Sequence, residues 1–420
     1  MNKDQFLNVL SRRLENLPDT ERRIALDYFS ELISDRMEEG MTEEDAVAAL
    51  GGVDQIVQSA ALQTRAQSEN AAPSAERRQN HTILHAPVRS VYADCSCANI
   101  SVLRGALPDG ATALVEYRLP NGAECGCNLE DGQLKIEYLP QHRSFSLMDL
   151  FRSESNVSIQ VTLAGDPLEH CKIITSSGDV MLANLNLSGS LSASSSSGDV
   201  TLKNISAQDE CSVSSHSGEL KLYTLDCRSL LVRSASGAAD LQNARAEDSC
   251  TLRSTSGDML IVSIQCGGAL QLHSTSGDVE ARDVSAADVS ACATSGDVSL
   301  LRVVGHSVSV ESTSGDVELD IVCADAGVTA ASRSGDIELA NLQGCGAVTS
   351  HSTSGDIELR NAEAQRFELS TTSGDIEGVL IGQYHFHARS ASGDVHVPDS
   401  RGERIAEARS VSGDIDLRSR

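Results

Sequence analysis

The sequence predicts a mainly β protein, a parallel and right-handed β-solenoid of about 13 coils that follows a small all-α module. The motif STSGDV stands at 274–279 and again at 312–317, and the glycine of its variants recurs thirteen times, always 19 or 20 residues apart. Apolar residues keep fixed distances from that glycine in most copies. Residues 1–62 instead carry apolar residues at helical spacing, which predicts a separate helical module.

The predicted module consists of short helices. Phe6, Leu10 and Leu14 share one face of a first helix, which Pro18 ends. A second helix is predicted as far as Gly40, followed by a short third helix. Because a segment of this size buries little apolar surface on its own, we expect the module to dock on a partner.

Two segments connect the module to the repeats. Residues 63–85 are polar and aperiodic, which is typical of a flexible linker. Residues 86–165 alternate in the manner of strands, as in QLKIEYL at 133–139, but lack the repeat. Since a repeat array needs atypical terminal units to close its core, we expect this segment to cap the solenoid, which then occupies residues 166–420.

The register of the repeat predicts which side chains face the core. Apolar residues stand seven and five positions before the glycine and two, four and seven positions after it, as Ile357 and Leu359 illustrate. The alternation changes phase at the glycine, which predicts a corner with special backbone angles there. The extra residue of the longer repeats is predicted to lie in a loop, between positions +7 and −7.

The polar motif residues have predicted structural roles. Serine stands directly before the glycine in every copy, and Ser or Thr stands three positions before it in twelve of thirteen. Both are expected to face inward and to bond backbone groups. The acid after the glycine is expected to accept N–H groups of its own turn.

Two resemblances follow from these segments. LPDTERR at 17–23, DYFSELISDRMEEG at 27–40 and TEEDAVAALG at 42–51 resemble the HAAS signalling module over roughly the first 58 residues. That family is linked with PadR-type transcription regulators, so the resemblance implies such a regulator as protein partner of the N-terminal helices. The SGD turns resemble the putative-adhesin β-helix family over about residues 85–420, which implies the fold and leaves the activity open.

The charge limits the classes of ligand. The chain carries 60 acidic and 33 basic residues, for a net charge of −27. This excess argues against nucleic acid and against an anionic membrane surface, and it favours a cation or a basic partner. Neither a signal peptide nor a transmembrane run is recognised, so we expect a cytoplasmic protein. The alternative is a cell-surface location reached by a non-classical route.

Two sets of residues are candidate metal ligands. Two C-x-C pairs could bind zinc through four thiolates. Their residues are Cys95, Cys97, Cys125 and Cys127. The alternatives are that these cysteines are small core residues, or that they form a disulfide in an exported protein. Stacked carboxylates about 4.8 Å apart repel one another, and calcium would relieve that repulsion. The calcium candidates are Asp316, Glu318, Asp336, Glu338, Asp356 and Glu358. The alternative is that each carboxylate only stabilises its turn, in which case no cofactor is expected.

The sequence predicts no enzyme, because no Ser–His–Asp arrangement stands out from the abundant serine. The favoured function is a signalling or scaffold protein, whose helices dock a partner and whose acidic solenoid is a rigid interaction surface. One alternative is an exported, adhesin-like surface-binding protein. Another is a glycan-active β-helix enzyme, suggested by charged residues of one outward column such as Arg253, His273 and Glu311.

Overall fold

The computed structural model describes residues 2–13, seven single positions (22, 26, 29, 30, 33, 43 and 47), and residues 78–420 except 109, 120–124, 139–156, 166 and 400. Most of the predicted linker lies outside these residues, and so do most residues of the second and third predicted helices and the predicted end of the first helix at Pro18. The chain forms two compact units, the first comprising 1–78, 118–124 and 140–156, the second 79–117, 125–139 and 157–420. Within the described residues, no helix has the length and apolar character needed to span a membrane.

The first unit contains the helix α1 (Lys3–Arg13). Asn2 caps it: the Asn2 side chain accepts a hydrogen bond from the Gln5 amide at 2.9 Å, and the Gln5 side chain accepts one from the Asn2 amide at 3.2 Å. This reciprocal pair satisfies N–H groups that a helix start leaves unpaired. An apolar core includes Phe6, Leu10, Phe29, Ile33 and Val47, all buried.

The second unit consists largely of β-strands, some of which span a corner. The strands of the N-terminal end are β1 (Arg78–Leu84), β2 (Ser90–Cys95), β3 (Asn99–Arg104), β4 (Ala113–Leu119), β5 (Gly126–Glu130), β6 (Gln133–Tyr138) and β7 (Ser158–Leu163). The middle strands are β8 (His170–Thr175), β9 (Val180–Leu187), β10 (Leu191–Ser195), β11 (Val200–Ser215), β12 (Leu220–Ser234), β13 (Ala239–Ser254), β14 (Met259–Ser274), β15 (Val279–Ala293), β16 (Val298–Ser312) and β17 (Val317–Ser332). The last strands are β18 (Ile337–Ala340), β19 (Cys345–Ser352), β20 (Ile357–Ala362), β21 (Ala364–Ser370), β22 (Ile376–Leu380), β23 (Tyr384–Ser390), β24 (Val395–His396), β25 (Arg404–Ser410) and β26 (Ile415–Ser419).

The predicted parallel solenoid is confirmed, with one coil per repeat. β13 and β14, for example, pair in parallel from Ala239 opposite Met259 to Ser254 opposite Ser274. Where a 19-residue repeat meets a 20-residue one, the register shifts between positions +9 and −8, as it does between Cys266 and Ala269 in β14. This confirms the predicted location of the extra residue.

Each coil buries three short runs of alternate residues. In the coil that follows Gly257 these buried residues are Met259, Ile261, Ile264, Cys266, Leu270, Leu272 and Ser274. A change of phase between Ile261 and Ile264 marks a second corner, six residues after the glycine, where Ser263 has a φ of 60°. This left-handed position recurs at Asn184, Asn204, Thr224, Asn243, Asp283, Arg302, Ile321, Asn341 and Asn361.

This second corner was not predicted from the sequence. Its signal was the repeated asparagine, because Asn tolerates left-handed angles better than other residues with a side chain.

The serine directly before the glycine does not face inward as predicted. Ser197 is exposed, whereas Ser195, two residues earlier, is buried. The reason is that the turn begins after Ser195: the Ser197 amide donates to the Ser176 carbonyl of the preceding coil at 2.9 Å. Only the hydroxyl three positions before the glycine therefore reaches the interior.

Part of the predicted linker is a strand. β1 covers residues 78–84 and pairs with β4, and the Leu84 carbonyl accepts hydrogen bonds from the Thr112 amide at 2.8 Å and hydroxyl at 3.0 Å. The physical reason is that β4 offers an unpaired edge, which the alternation of the segment NHTIL at 80–84 can use.

At the N-terminal end of the solenoid, the order of coils in space differs from their order in the chain. β2 pairs with β8 on one side and with the later strand β6 on the other. β3 likewise lies between β9 and β7. The coil formed by β2 and β3 is therefore covered by the coil formed by β6 and β7.

The same inversion occurs at the other end. We call residues 364–380 the inner coil, residues 384–396 the outer coil and residues 404–419 the inserted coil. β25 pairs with β21 of the inner coil and β23 of the outer coil, and β26 pairs with β22 and β24 in the same way. The last coil in the sequence thus lies between the two that precede it.

The alternation before Gly413 predicts Ala406 and Ala408 as the inward residues of the last coil, and hence a core that tapers there; the coil order shows that this prediction is wrong. Both alanines are fully buried in the inserted coil. Tyr384 of the outer coil is also fully buried, and its ring meets that of Phe367 in the inner coil edge to face, with centroids 5.5 Å apart. The small alanines leave the room that these two large rings require.

Candidate functional site

The repeated corner of the solenoid is held together by hydrogen bonds between coils. The Ser332 hydroxyl donates to the Gly315 carbonyl of the preceding coil at 3.0 Å, and it accepts a bond from the Gly335 amide at 2.9 Å. Ser352 bonds Gly335 and Gly355 in the same way. One inward hydroxyl thus satisfies two buried backbone groups, which explains why this position is Ser or Thr in twelve copies.

The motif glycine is required by close approach between coils. None of the thirteen motif glycines has a positive φ, so the predicted special backbone angles are not the reason for glycine. A Cβ added to Gly315 would lie 2.1 Å from the Gly296 carbonyl oxygen, and one added to Gly335 would lie equally close to the Gly315 oxygen. Any side chain at this position would force neighbouring coils apart.

The motif aspartates form a ladder along the solenoid. The Asp316 carboxylate accepts a hydrogen bond from the Asp336 amide of the next coil at 2.8 Å, and the Asp336 carboxylate accepts one from the Asp356 amide at 2.8 Å. Each carboxylate therefore serves the neighbouring turn, whereas we had expected it to serve its own. Because Ala238 has no carboxylate, the ladder is interrupted at that coil.

Two of the three candidate glutamates are paired with one arginine. The Arg360 guanidinium contacts Glu338 at 2.8 Å and Glu358 at 2.7 Å, and its hydrogen bond lowers the pKa of Glu358. Glu318 accepts a hydrogen bond from the Ser299 hydroxyl at 3.3 Å. Among the described residues, no three His, Cys, Asp or Glu side chains are arranged to hold a metal ion, and the calcium site stays a prediction.

Replacing Asp316, Asp336 and Asp356 together by asparagine tests the role of the ladder. The amide oxygen can still accept the N–H bond, so we expect the variant to fold and to be no less stable at low salt. We also expect millimolar calcium to change its melting temperature no more than that of the parent protein. Sodium chloride at matched ionic strength controls for general screening. A calcium-specific rise that only the parent shows would make the ladder a cation site.

A natural gap in the serine column provides a second test. Ala293 stands where other coils carry Ser or Thr. Ala293→Ser is expected to raise the free energy of unfolding by about 1 kcal/mol, because its hydroxyl can bond the Gly277 carbonyl and the Gly296 amide. Urea titration measures the change. The reverse substitution, Ser332→Ala, is the matched control and should destabilise; an equal loss in both variants would contradict the role assigned to the hydroxyl.

The four cysteines proposed for zinc lie at the N-terminal end of the second unit. Cys95 is buried, and Cys97, Cys125 and Cys127 are half-buried; none of the four forms a disulfide bond in the structure. Burial, with a smaller contribution from Cys125, raises the pKa of Cys95 to about 12, and burial raises that of Cys125 to about 11. Cys95 and Cys125 are therefore protonated at neutral pH, and the zinc site stays a prediction.

A shallow groove of about 510 Å³ lies on the surface of the solenoid. It is lined in part by the outward side chains that stand four positions before the motif glycine in successive coils. The imidazole Nδ1 of His273 lies 2.7 Å from Sγ of Cys292 at one end of it. Burial, followed by Glu311, raises the pKa of Cys292, and the imidazole and the thiol form a hydrogen bond. Sequence reasoning singled out His273 and Glu311 but not Cys292, whose partner becomes evident only from the coil register.

Two models of known protein families match the chain. The family model called Toastrack DUF4097 matches residues 118–299 and 270–419, which together make up more than half of the chain. The chain belongs to the Toastrack DUF4097 family. The HAAS family model matches residues 5–59, so the resemblance inferred from the N-terminal motifs is confirmed. No curated protein matches the chain.

Solved structures also resemble this Toastrack chain. A putative adhesin from Bacteroides fragilis is 12% identical over 83% of this chain and 99% of its own, with a TM-score of 0.21. A putative cell adhesion protein from Clostridium sporogenes is 9% identical over 82% of this chain and 100% of its own, with a TM-score of 0.17. A putative adhesin from Parabacteroides distasonis is 10% identical over 83% and 98%, with a TM-score of 0.22. At these values the matches carry no information about function.

Proposed function

We propose that this protein is a non-enzymatic, cytoplasmic binding protein. Its N-terminal helical module docks a protein partner, and its solenoid acts as a rigid, acidic interaction surface. The observation that carries this proposal is the HAAS match over residues 5–59, joined in one chain to a Toastrack solenoid. The partner we propose is a PadR-type transcription regulator, the class associated with HAAS modules.

The described part of α1 supports a docking role. Phe6 and Leu10 are buried in the module, where the Phe6 ring meets the Phe29 ring edge to face at 5.9 Å. Val9, in the same helix, is 41% exposed. An exposed apolar side chain on a helix whose Phe6 and Leu10 are already buried is a suitable anchor for a protein partner.

The solenoid supports the role of a rigid surface. Neighbouring coils such as those of β15 and β16 are bonded through backbone pairs, and the serine column and the aspartate ladder, each with one gap, hold the corners together. Apart from Asp199 and Asp375, which are half-buried, the motif aspartates are exposed, so the charge of the ladder remains available to solvent on one edge. Acidic side chains held at fixed spacing attract a basic or cationic partner. Because they are already ordered, binding loses little conformational entropy on this side of the interface.

Titration calorimetry with the full-length chain and a PadR-type regulator from the same genome tests the docking proposal. We expect binding, and we expect Val9→Asp to weaken it at least ten-fold. Val304→Asp is the matched control, since Val304 is 55% exposed but lies in the solenoid, and it should bind like the parent.

Failure of the parent to bind, or equal weakening by both substitutions, would contradict the proposal. Attachment of the full-length chain to whole cells, without regulator binding, would instead support an adhesin-like role.

A further inference from the structure

The inserted coil lies between the inner and outer coils, and these two coils are connected to each other by a stretch of chain that does not include it. Residues 381–383 connect the inner coil directly to the outer coil. The Tyr384 hydroxyl of the outer coil donates to the Ala364 carbonyl of the inner coil at 2.9 Å and accepts a bond from the Ala364 amide at 3.2 Å. The inserted coil is linked to this frame through residues 397–403. We call the space between the inner and outer coils the slot.

The shape of the slot selects a coil with small interior residues. Phe367 of the inner coil and Phe386 of the outer coil occupy the same register position, and Ala406 lies between them. The ring of Tyr384 fills the remaining space, with centroids 5.5 Å from Phe367 and 6.2 Å from Phe386. A coil with a large side chain at the position of Ala406 would collide with these rings.

Two ion pairs of opposite polarity add charge selectivity. Glu363, which directly precedes the inner coil, contacts the Arg404 guanidinium at 3.0 Å, and the Arg366 guanidinium of the inner coil contacts Glu407 at 2.9 Å. Glu407 is the more enclosed member of its pair, with its side chain 26% exposed. The slot therefore offers one acid and one base, and the inserted coil offers the complement of each.

The motif bonds at the slot are of the same kind as those at the Gly335 corner. The Ser410 hydroxyl donates to the Gly374 carbonyl at 3.1 Å, the Asp414 amide donates to the Asp375 carboxylate at 2.7 Å, and the Asp394 amide donates to the Asp414 carboxylate at 2.8 Å. These bonds can be made by any coil with the SGD motif. The alanine and the two ion pairs are what distinguish residues 404–419 from the other coils.

We propose that the slot is a binding site for the inserted coil of a second copy of this chain, so that two copies can exchange residues 404–419. The second copy carries the same alanine, arginine and glutamate, and it therefore fits the slot as well as the chain's own coil does. An exchange in both directions fills both slots and closes the assembly as a dimer. Within one chain the short link gives the coil a high effective concentration, so exchange requires concentrated protein or a mismatch within the chain.

A pair of charge-reversed full-length chains tests this proposal. The slot variant carries Glu363→Arg and Arg366→Glu; the insert variant carries Arg404→Glu and Glu407→Arg. Each variant alone places like charges at both contacts within its own chain. In a mixture, exchange between the two variants gives both filled slots two opposite-charge pairs: the reversed slot receives the reversed insert, and the wild-type slot receives the wild-type insert. The matched control is a single chain with all four substitutions, in which the pairs are restored without exchange.

Light scattering after size-exclusion chromatography measures the outcome. We expect the concentrated mixture to form a species of twice the 44.4 kDa chain mass that carries the affinity tags of both variants. It should form at least ten-fold more of this species than a mixture of two differently tagged wild-type samples, and the four-substitution control should remain at single-chain mass. Should either variant not fold alone, co-refolding of the two replaces mixing, and folded mixed-tag dimer is the expected result. A mixture that yields no such species would overturn the proposal.

Discussion

Gly315→Ala is expected to lower the free energy of unfolding of the solenoid by about 3 kcal/mol. The added Cβ would lie 2.1 Å from the Gly296 carbonyl oxygen, a distance that real Cβ atoms do not show. The clash is with backbone on the neighbouring coil, so rotation of a side chain cannot relieve it. Urea titration followed by circular dichroism would measure the loss.

The matched control for this substitution is Gly126→Ala. A Cβ there would lie 3.5 Å from the Glu137 carbonyl oxygen, which is an ordinary contact. We therefore expect its effect to stay within about 0.5 kcal/mol. If both substitutions destabilised equally, close approach between coils would not be the reason for the motif glycine.

Tyr384→Ala is expected to destabilise the end of the solenoid by about 3–5 kcal/mol, the usual range for deleting a large buried ring. The substitution opens a cavity beside Phe367 and Phe386, and it removes the hydroxyl that bonds both backbone groups of Ala364. Tyr384→Phe keeps the ring and should cost only about 1–2 kcal/mol. Urea titration of both variants separates the two contributions; a loss no larger for alanine than for phenylalanine would contradict the packing described.

The repeat made most of the solenoid predictable from sequence. Each copy of the repeat has apolar and polar residues at the same positions, so the alternation around Gly277 or Gly355 is supported by the other copies. That redundancy fixed the inward positions and the loop that absorbs the extra residue. It also allowed the structural role of the serine at −3 to be predicted. The serine at −1, which is exposed, could not be distinguished from the serine at −3 by residue type alone.

The order of coils at the ends could not be predicted, because the SGD copies around Gly393 and Gly413 are nearly equivalent in sequence. Either coil can make the motif bonds to Gly374, so the motif alone does not decide which one lies next to it. What distinguishes them is size: Phe386 belongs to one coil and Ala406 to the other. Such a difference becomes meaningful only when the position of Tyr384 is known.

The role of the acidic residues was only partly predictable. The sequence indicated that the aspartates serve turns, but not that Asp316 bonds the amide of Asp336 one coil away. That bond depends on the register between coils, which residue spacing alone does not give. The pairing of Arg360 with two stacked glutamates is likewise a contact between coils.

Disulfide trapping tests the inverted coil order most directly. Ser370 and Arg409 are register partners on adjacent coils, and Arg409 is in turn the partner of Arg389. We expect the pair Ser370→Cys with Arg409→Cys to form a disulfide, because adjacent strands lie about 4.8 Å apart. The pair Ser370→Cys with Arg389→Cys spans two coils, about 10 Å, and should not form one. Peptide mass analysis of the oxidised monomers would show the bond in the first variant only; a disulfide between positions 370 and 389, and none between 370 and 409, would contradict the coil order.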